Sequence, residues 1–442
     1  MILKQRRSFY FAISALVFAI LSIVGISASI AQADSNEKPK VTIVATGGTI
    51  AGEASSRASF TSYRAGSIPM DEMLEYIQPE ISEHVDVDVI QFGNSGSGGY
   101  TLEEFHELTL VVEDALDEAD GVVVTSGTDT MEEFAYWLDL TVQSQKPVVM
   151  TGAMRPWSSE GEMVLGADGP ANLYNSILLA GSQSTFCFGT VLMLNDEIHA
   201  AKDVTKADTY RMDTFESPNN GPLGFIDGTN ISTDRAPARV QSCGDLDEWM
   251  TPFDMTEVEA DDLARTEIVY TYQNAGGEAI TAFAEAGVDG IVTAGTGAGG
   301  ISSAQRAAQN DAIENHDVVF ATSSRTGAGN VYGGRDQIIA ANDLIPQKAR
   351  ILLTLGLTYA PDNTEQVAEW FHTIGNPQFN ASNVDNDDEY PTWQNNAIYV
   401  AGDRVWYDDV LYEAKWWTVN EIPSESGEWD VWKVVESEVT AS

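Results

Sequence analysis

Basic residues are scarce in this sequence. It contains 23 lysine and arginine residues against 67 aspartate and glutamate residues, which gives a formal net charge of −44 at pH 7. A surface with this excess of acidic charge repels nucleic acid and anionic lipid, so we expect neither as a partner. The same charge suits an exported protein in salty surroundings, where screening weakens its self-repulsion.

Metal-binding residues are also few. The sequence has 5 histidines and 2 cysteines, and it contains no H-E-x-x-H motif and no clustered Cys/His pattern. Zinc sites require ligand sets of that kind, so the sequence predicts no metal site. Cys187 and Cys243 are the only cysteines. In an oxidising compartment they predict one disulfide, and two buried free thiols are the alternative.

Long apolar runs are missing after the first residues. The run Phe9 to Val24 follows three basic residues, and Ala31-Gln32-Ala33 supplies a small-residue cleavage site. These features predict a secretory signal peptide over residues 1–33, with a retained membrane anchor as the alternative. No later run approaches the roughly 20 apolar residues that a membrane span needs. We therefore expect the mature chain to be exported, periplasmic or secreted, and free of the membrane.

The stretch 121–133, GVVVTSGTDTMEE, predicts a strand, a loop and a helix in succession. Its run Val122 to Val124 is typical of a strand buried on both faces of a parallel sheet. Thr128 and Asp129 then lie between the strand's carboxyl end and the helix, where open α/β sheets bind their ligands. They form a candidate site, and the alternative is that both only cap the helix.

A capping box is the specific form of that alternative. Asp129 with Glu132, or Thr130 with Glu133, has the spacing at which the two side chains satisfy each other's backbone N–H groups. The sequence therefore predicts a side-chain cap at the start of this helix.

Strand and helix patterns alternate along most of the chain, which predicts an α/β fold. We expect a large doubly wound parallel-sheet domain, a smaller α/β domain and a small all-β module rich in aromatic residues. The expected boundaries are 1–33 for the signal peptide, 34–225 for the first domain, 226–260 for an interdomain connection, 261–375 for the second domain, 376–389 for an acidic linker and 390–442 for the module. The aspartates of the linker could bind calcium, but a solvated spacer fits better because no EF-hand pattern is present.

A second hydroxyl follows the first predicted strand. Gly47 and Gly48 allow a tight turn there and present Thr49 at the strand's end. Tyr63 follows on a loop rich in serine and glycine, which is either a mobile lid or an ordinary surface loop. A hydroxyl needs a neighbouring base or proton relay to act as a nucleophile, and Lys206 or Tyr63 can supply it. Backbone amides at the glycine turns can hold an oxyanion, so the residues indicate acyl transfer on a small substrate.

Ordered motifs throughout the first two domains resemble those of bacterial L-asparaginases of the secreted, type II kind. In the first domain they are ATGGTIAG (45–52), TSGTDTMEE (125–133), GAMRP (152–156), ADGPANLYN (167–175), LNDEIHAAKDVTK (194–206) and NGPLG (220–224). SSRTGAG (323–329) and PQKAR (346–350) extend the resemblance through the second domain, so that it covers about residues 40–375.

The resemblance implies hydrolysis of L-asparagine to L-aspartate and ammonia, with variable glutaminase activity and no cofactor. It also implies a homotetramer with sites between subunits. The family's catalytic residues fall on Thr49 as nucleophile and on Tyr63, Thr128, Asp129 and Lys206. Its substrate-binding residues fall on Gly48, Ser97, Gly98, Asp129 and Ala153, with Asp129 holding the ammonium group and Ser97 the carboxylate of the substrate.

Some positions depart from the family's pattern. Gly98 stands where many relatives have a substrate-binding glutamine, and Ser126 where many have histidine. Gly300 and Gly334 stand where some relatives place an asparagine and a glutamate contributed by the neighbouring subunit. These departures bear on the preference between asparagine and glutamine, and they leave the nucleophile cluster intact.

The C-terminal residues from Tyr390 on are unusually rich in aromatic side chains. The segment resembles chitin-binding type carbohydrate-binding modules, whose exposed aromatic rings stack on sugar faces. The resemblance places that role on Tyr407, Trp416 and Trp417 and implies tethering to a polysaccharide.

Two other functions remain open at this stage. One is a glutaminase-asparaginase of broad specificity. The other is a catalytically idle polysaccharide-binding protein, against which the intact set Thr49, Tyr63, Thr128, Asp129 and Lys206 argues.

Overall fold

The computed structural model describes residues 38–379 without a gap. Beyond them it describes residues 393, 398–399, 402, 404–407, 410–416, 418–419, 421–427 and 430–435. The expected signal peptide, residues 380–389 of the expected linker, and Trp417 lie outside the described residues. Every helix in the described part of the chain is too short or too polar to cross a bilayer.

The first domain is built from short strands and helices in alternation. Its strands are β1 (Lys40–Gly47), β2 (Glu53–Ala54), β3 (Tyr63–Arg64), β4 (Asp86–Ser95), β5 (Gly121–Thr125), β6 (Val148–Thr151), β7 (Ser158–Ser159), β8 (Glu162–Met163), β9 (Thr190–Leu194), β10 (Glu197–Ala200), β11 (Thr205–Lys206), β12 (Phe215–Glu216), β13 (Gly224–Asp227) and β14 (Asn230–Thr233). Its helices are α1 (Met70–Tyr76), α2 (Leu102–Glu118), α3 (Met131–Thr141) and α4 (Gly169–Gly181).

The main sheet has eight strands in the order β14-β13-β10-β9-β6-β5-β1-β4. β4, β1, β5, β6 and β9 run parallel, whereas β10, β13 and β14 are antiparallel additions. The expectation of a purely parallel sheet is therefore wrong at this edge. The reason lies between β9 and β10, where Asn195 and Asp196 take φ values of 55° and 66°. Two such residues form the tight turn that joins antiparallel strands.

The doubly wound arrangement of the first domain is confirmed. Along β5, Val122 and Val124 belong to one buried cluster and Val123 to another, so successive side chains point to opposite faces. The first cluster includes residues of α2 and α3, and the second includes residues of α1 and α4. Both faces of the sheet are thus covered by helices, as a buried parallel sheet requires.

The second domain is the smaller α/β unit that the sequence predicts. Its parallel strands, in spatial as well as chain order, are β15 (Thr266–Tyr270), β16 (Gly290–Gly295), β17 (Val319–Ser324) and β18 (Ile338–Ala340). Its helices are α6 (Glu278–Glu285), α7 (Ser303–His316), α8 (Pro346–Tyr359) and α9 (Thr364–Thr373), and α5 (Leu246–Trp249) precedes the domain. Leucines of α8 share a buried cluster with α3, so the second domain packs directly on the helix that follows Thr128.

A disulfide ties the expected interdomain connection to the first domain. Cys187 and Cys243 are bonded, with their Cα atoms 5.8 Å apart, so the alternative of two free thiols is wrong. Trp249 of the connection donates its indole N–H to the carbonyl of Cys187 at 2.9 Å. Arg239 stacks 3.6 Å above the Trp249 ring and bonds the carbonyl of Asp139 at the carboxyl end of α3. The segment 226–260 also contributes β14 to the main sheet.

The C-terminal segment contains short antiparallel strands in its described residues. They are β19 (Ile398–Tyr399), β20 (Arg404–Tyr407), β21 (Val410–Ala414), β22 (Thr418–Val419) and β23 (Trp432–Val434). β20, β21 and β23 form one sheet, and β19 pairs with β22. Several of the aromatic residues fill a small buried cluster around Val405, among them Tyr399 and Trp432. Part of the aromatic richness of this segment therefore serves its core.

Candidate active site

The loop after β1 brings two strand ends into contact. Gly48 takes a φ of 84°, and an added Cβ there would lie 2.2 Å from the backbone nitrogen of Gly127. Only glycine can occupy such a position, since any side chain would clash with the neighbouring backbone. Thr49 and Thr128 each follow one of these touching glycines, so the two predicted hydroxyls emerge from adjacent loops at the carboxyl edge of the sheet.

Tyr63 reaches Thr49 across the first of these loops. The two side-chain oxygens lie 2.8 Å apart, and the Thr49 side chain is buried. Tyr63 belongs to β3, which pairs with β2 at the edge of a small four-stranded sheet. Gly66 then donates its N–H to the carbonyl of Gly48 at 3.0 Å. Hydrogen bonds therefore hold the serine- and glycine-rich loop against the site.

Lys206 forms a hydrogen bond to the second hydroxyl, that of Thr128. Its ammonium group donates to Thr128 Oγ1 at 2.9 Å and to Asp129 Oδ1 at 2.7 Å. The lysine side chain is only 14% exposed, whereas that of Asp129 is 86% exposed and open to a ligand. The structure thus brings all five predicted catalytic residues into two hydrogen-bonded groups, one around each threonine.

Ser97 lies beneath the second group. It is buried, and its hydroxyl oxygen accepts the N–H of Thr130 at 3.1 Å, so its own proton can point to a ligand. Ser97 also packs on Gly127, the glycine that precedes Thr128. Gly98 is exposed, and an added Cβ there would meet no atom of the described residues within 4 Å. The described residues therefore leave room for a longer side chain at this position.

Ala153 lies on the same edge of the sheet. It is fully buried two residues after Thr151, which pairs with Thr125 of the neighbouring strand. The carboxylate of Asp168 accepts the backbone N–H groups of Met154 and Arg155 at 2.8 and 2.9 Å and fixes this turn. Burial raises the pKa of Asp168, and these two hydrogen bonds oppose the rise.

The expectation of a side-chain cap on α3 is wrong. Thr130 occupies the N-cap position, yet within the described residues its hydroxyl makes no capping hydrogen bond. The acidic side chains are used elsewhere, because Asp129 binds Lys206 Nζ and Glu132 accepts the backbone N–H of Lys206 at 2.7 Å. Residues that fit a capping pattern instead contact a strand 77 and 74 residues away.

Two residues near the site were missed from the sequence. Glu132 accepts the backbone N–H of Lys206. Lys348 of α8 donates to the carbonyls of Ala201, Lys202 and Val204, which precede Lys206 in the chain. Burial lowers the pKa of Lys348 to about 8. A lysine inside the otherwise apolar face of a helix, as in PQKARILL, was the signal available for it.

The arrangement is suited to acyl transfer by a hydroxyl. Each threonine has a partner that can take or relay its proton, a tyrosine for one and a lysine for the other. Asp129 offers an exposed carboxylate for a ligand's ammonium group, and Ser97 offers a donor for a carboxylate. The described residues contain no group of three or more histidine, cysteine, aspartate or glutamate side chains placed to hold a metal ion.

The aromatic residues expected to bind carbohydrate differ in exposure. Trp416 is 50% exposed, with the ammonium group of Lys415 5.8 Å from its ring centroid. Tyr407 is partly buried and meets Trp393 edge-on, with ring centroids 5.5 Å apart. Of the three candidates, Trp416 is the ring whose exposed surface the structure describes best.

Comparison with known proteins assigns most of the chain to one family. The family model "Asparaginase, N-terminal" matches residues 40–239, and "Glutaminase/Asparaginase C-terminal domain" matches residues 265–371. A probable periplasmic L-asparaginase of Haemophilus influenzae is 37% identical over 352 residues, which are 78% of this chain and 95% of that protein. A glutaminase-asparaginase of Pseudomonas aeruginosa is 35% identical, over 74% of this chain and 88% of that protein.

A solved structure agrees with these relatives. The probable cytoplasmic L-asparaginase of Campylobacter jejuni superimposes with a TM-score of 0.69 at 36% sequence identity, covering 76% of this chain and 99% of that one. Motifs, fold and comparisons all agree. The chain belongs to the bacterial type II L-asparaginase family and is an enzyme of the L-asparaginase kind.

Proposed function

We propose that the enzyme hydrolyses L-asparagine to L-aspartate and ammonia through an acyl-enzyme formed on Thr49. The observation that carries the proposal is the pair of hydrogen-bonded groups, Thr49 with Tyr63 and Thr128 with Lys206, on adjacent loops. The family resemblance selects Thr49 as the nucleophile.

The first half of the reaction attaches the substrate to the enzyme. Asp129 binds the ammonium group of asparagine and Ser97 binds its carboxylate, which places the side-chain amide at the threonines. The Thr49 hydroxyl attacks the amide carbon and passes its proton to the phenolic oxygen of Tyr63, 2.8 Å away, while Tyr63 gives its own proton to the amide nitrogen that leaves as ammonia. Backbone N–H groups of the glycine turns stabilise the oxyanion. Ammonia then leaves with the proton, and an ester to Thr49 remains.

The second half releases the product. A water molecule that takes the place of ammonia attacks the ester carbon, and the Thr128 hydroxyl, oriented by Lys206 at 2.9 Å, accepts a proton from the water while it passes its own proton to the departing Thr49 oxygen. The ester bond breaks, Thr49 regains its hydroxyl proton, and L-aspartate departs. One asparagine and one water thus give one aspartate and one ammonia, and no cofactor takes part.

A broader glutaminase-asparaginase is the second candidate. The open space at Gly98 favours it, because a longer amide substrate fits where the described residues leave room. The similarity to a glutaminase-asparaginase of Pseudomonas aeruginosa also supports it. An idle polysaccharide-binding protein has less support, since such a protein would not need both hydrogen-bonded groups.

The proposal includes export, assembly and attachment to a polysaccharide. Export is supported by the signal-peptide pattern, by the Cys187–Cys243 disulfide, which requires an oxidising compartment, and by similarity to a periplasmic relative. The family resemblance supports a homotetramer. The exposed ring of Trp416 supports binding of a chitin-like polysaccharide by the C-terminal segment.

Ammonia release from L-asparagine and L-glutamine by the purified mature chain tests the proposal. We expect turnover of asparagine, its collapse in Thr49→Ala, and partial recovery in Thr49→Ser, which keeps a hydroxyl. Comparable kcat/KM values for both amides would establish the broader activity. Absence of turnover with both amides would refute the proposal and favour the binding protein.

A further inference from the structure

Lys206 lies on a segment that makes little regular structure of its own. Residues 201–203 form a turn, and β11 is only two residues long before the chain leaves the sheet. β11 pairs only with the two-residue strand β12, and so short a pairing does not by itself fix a catalytic side chain. Yet the Lys206 ammonium group meets both Thr128 and Asp129 at hydrogen-bond distance, so other elements must position it.

Glu132 connects this segment to the helix that follows Thr128. Its side chain is buried, and Oε2 accepts the backbone N–H of Lys206 at 2.7 Å. Thr128, Asp129 and Glu132 lie within five consecutive residues at the start of α3. One short stretch of chain therefore binds the ammonium group of Lys206 at one end and its backbone at the other.

The second domain holds Glu132 in turn. Gln347, at the start of α8, donates its side-chain amide to Glu132 Oε1. A buried carboxylate needs such partners, because burial without hydrogen bonds costs several kcal/mol. With both oxygens occupied, the carboxylate has one orientation, and that orientation points Oε2 at Lys206.

Lys348 fixes the residues just before Lys206. Its ammonium group is fully buried and donates to the carbonyl oxygens of Ala201, Lys202 and Val204. An ammonium group has three donors, and here each finds one carbonyl. Lys202 in turn binds Asp343 of the second domain at 2.7 Å. The second domain thus anchors the whole segment that carries Lys206.

We propose that Glu132 is a positioning residue that holds Lys206 against Thr128, and this role rests on the proposed function of the site. Gln347 and Lys348 support it from the second domain. The second domain is accordingly part of the catalytic arrangement, although in this proposal none of its residues contacts the reacting atoms.

The first test is kinetic, on the full mature chain. We expect Glu132→Ala to lower kcat for L-asparagine by about 10²-fold, the effect of a displacement on the order of 1 Å in an active site, with little change in KM because Ser97 is untouched. Glu132→Gln keeps an oxygen for the Lys206 N–H and should recover most of the activity. Glu133→Ala, next along the helix, is the matched control and should keep the wild-type kcat.

A double variant separates positioning from a general structural role. If Glu132 acts through Lys206, adding Glu132→Ala to Lys206→Met should slow the enzyme no further than Lys206→Met alone. Two effects that multiply would overturn the inference. Gln347→Ala provides a milder version should Glu132→Ala fail to fold, and its effect should also vanish beside Lys206→Met.

A second readout does not depend on turnover. The ε-carbon NMR signal of Lys206, assigned by its loss in Lys206→Met, should shift in Glu132→Ala and stay in place in Glu133→Ala. If the wild type hydrolyses neither amide but the signal shifts, the proposed function fails and the positioning role stands. If the signal and kcat are both unchanged in Glu132→Ala while asparagine is hydrolysed, the inference is wrong and the proposed function stands.

Discussion

The hydroxyl of Thr49 lies 2.8 Å from the phenolic oxygen of Tyr63, although 14 positions separate them in the chain. The hydrogen bond from the Gly66 N–H to the Gly48 carbonyl closes the loop that makes this contact. A threonine hydroxyl is a weak nucleophile at neutral pH, and a partner that takes its proton is the feature that makes attack feasible. The relationship gives Tyr63 a specific role that can be tested.

Replacing Tyr63 with phenylalanine removes that partner and leaves the ring in place. We expect kcat for L-asparagine to fall by about 10²–10⁴-fold, the usual contribution of a positioned proton acceptor. Tyr76→Phe, a change at an exposed tyrosine of α1, is the control and should leave kcat unchanged. A wild-type kcat in Tyr63→Phe would remove Tyr63 from the mechanism.

Gly98 controls the size of the substrate site in our account. An added side chain meets no described atom within 4 Å, so Gly98→Gln should be accommodated and should fill the open space. We expect the ratio of kcat/KM for L-glutamine to that for L-asparagine to fall by about tenfold, because the longer amide loses its room. An unchanged ratio would show that Gly98 does not line the substrate site.

Glu133 gives the protein a distinct pH dependence. Burial raises the pKa of its carboxyl group from 4.5 to about 7. Between these values the folded state binds more protons than the unfolded state, so the free energy of unfolding falls as the pH rises from about 4.5 to 7. Glu133→Gln removes this loss, and above pH 7 it should be more stable than the wild type by up to about 3 kcal/mol. Chemical denaturation at pH 5 and pH 8 measures the difference, and equal pH dependence in both proteins would contradict it.

The disulfide stabilises the body of the enzyme at a distance from the reaction. The bonded cysteines are 56 positions apart, a loop for which chain entropy predicts a loss of about 4 kcal/mol on removal. We expect Cys187→Ser with Cys243→Ser to lower the free energy of unfolding by that amount, measured by urea denaturation, and to leave kcat unchanged at 25 °C. The reason is that the neighbours of the disulfide contact the carboxyl end of α3, whereas Thr128 precedes the start of α3 and Thr49 lies on the adjacent loop. A large fall in kcat in folded protein would contradict this separation.

Trp416 tests the proposed attachment to polysaccharide. Losing an exposed aromatic contact should weaken binding and raise the Kd for chitin by about tenfold or more. A pull-down on chitin beads compares the full chain, Trp416→Ala and the control Tyr210→Ala, which changes an exposed tyrosine of the first domain. Equal retention of all three proteins would exclude Trp416 from the binding surface.

Much of the fold and of the site follows from local sequence patterns. The apolar run Val122 to Val124 predicts a buried strand, and the glycines before Thr49 predict the tight turn that the structure contains. Both threonines were therefore placed at strand ends from the sequence alone. Tyr63 and Lys206 are candidate proton acceptors from the sequence, but their assignment to the two threonines comes from the family resemblance, because contacts over 14 and 78 positions leave no periodic signal.

The failures have physical reasons of the same kind. The alternation of strand and helix patterns does not predict that Asn195 and Asp196, two residues with positive φ, reverse the chain after β9 and make the sheet mixed. Glu132 fits a capping pattern, and only the packing of α3 against the second domain and β11 gives it another hydrogen-bond partner. Tertiary contacts, and not the local sequence, therefore determine which hydrogen bonds the Glu132 side chain makes.

Trapping of the acyl-enzyme tests the central claim most directly. The purified chain is mixed with L-asparagine, quenched rapidly in acid and digested, and the peptides are examined by mass spectrometry. Our account expects one aspartyl ester on Thr49 in the wild type and none in Thr49→Ala. An ester on Thr128, or ammonia release at the wild-type rate by Thr49→Ala, would contradict the assignment of the nucleophile.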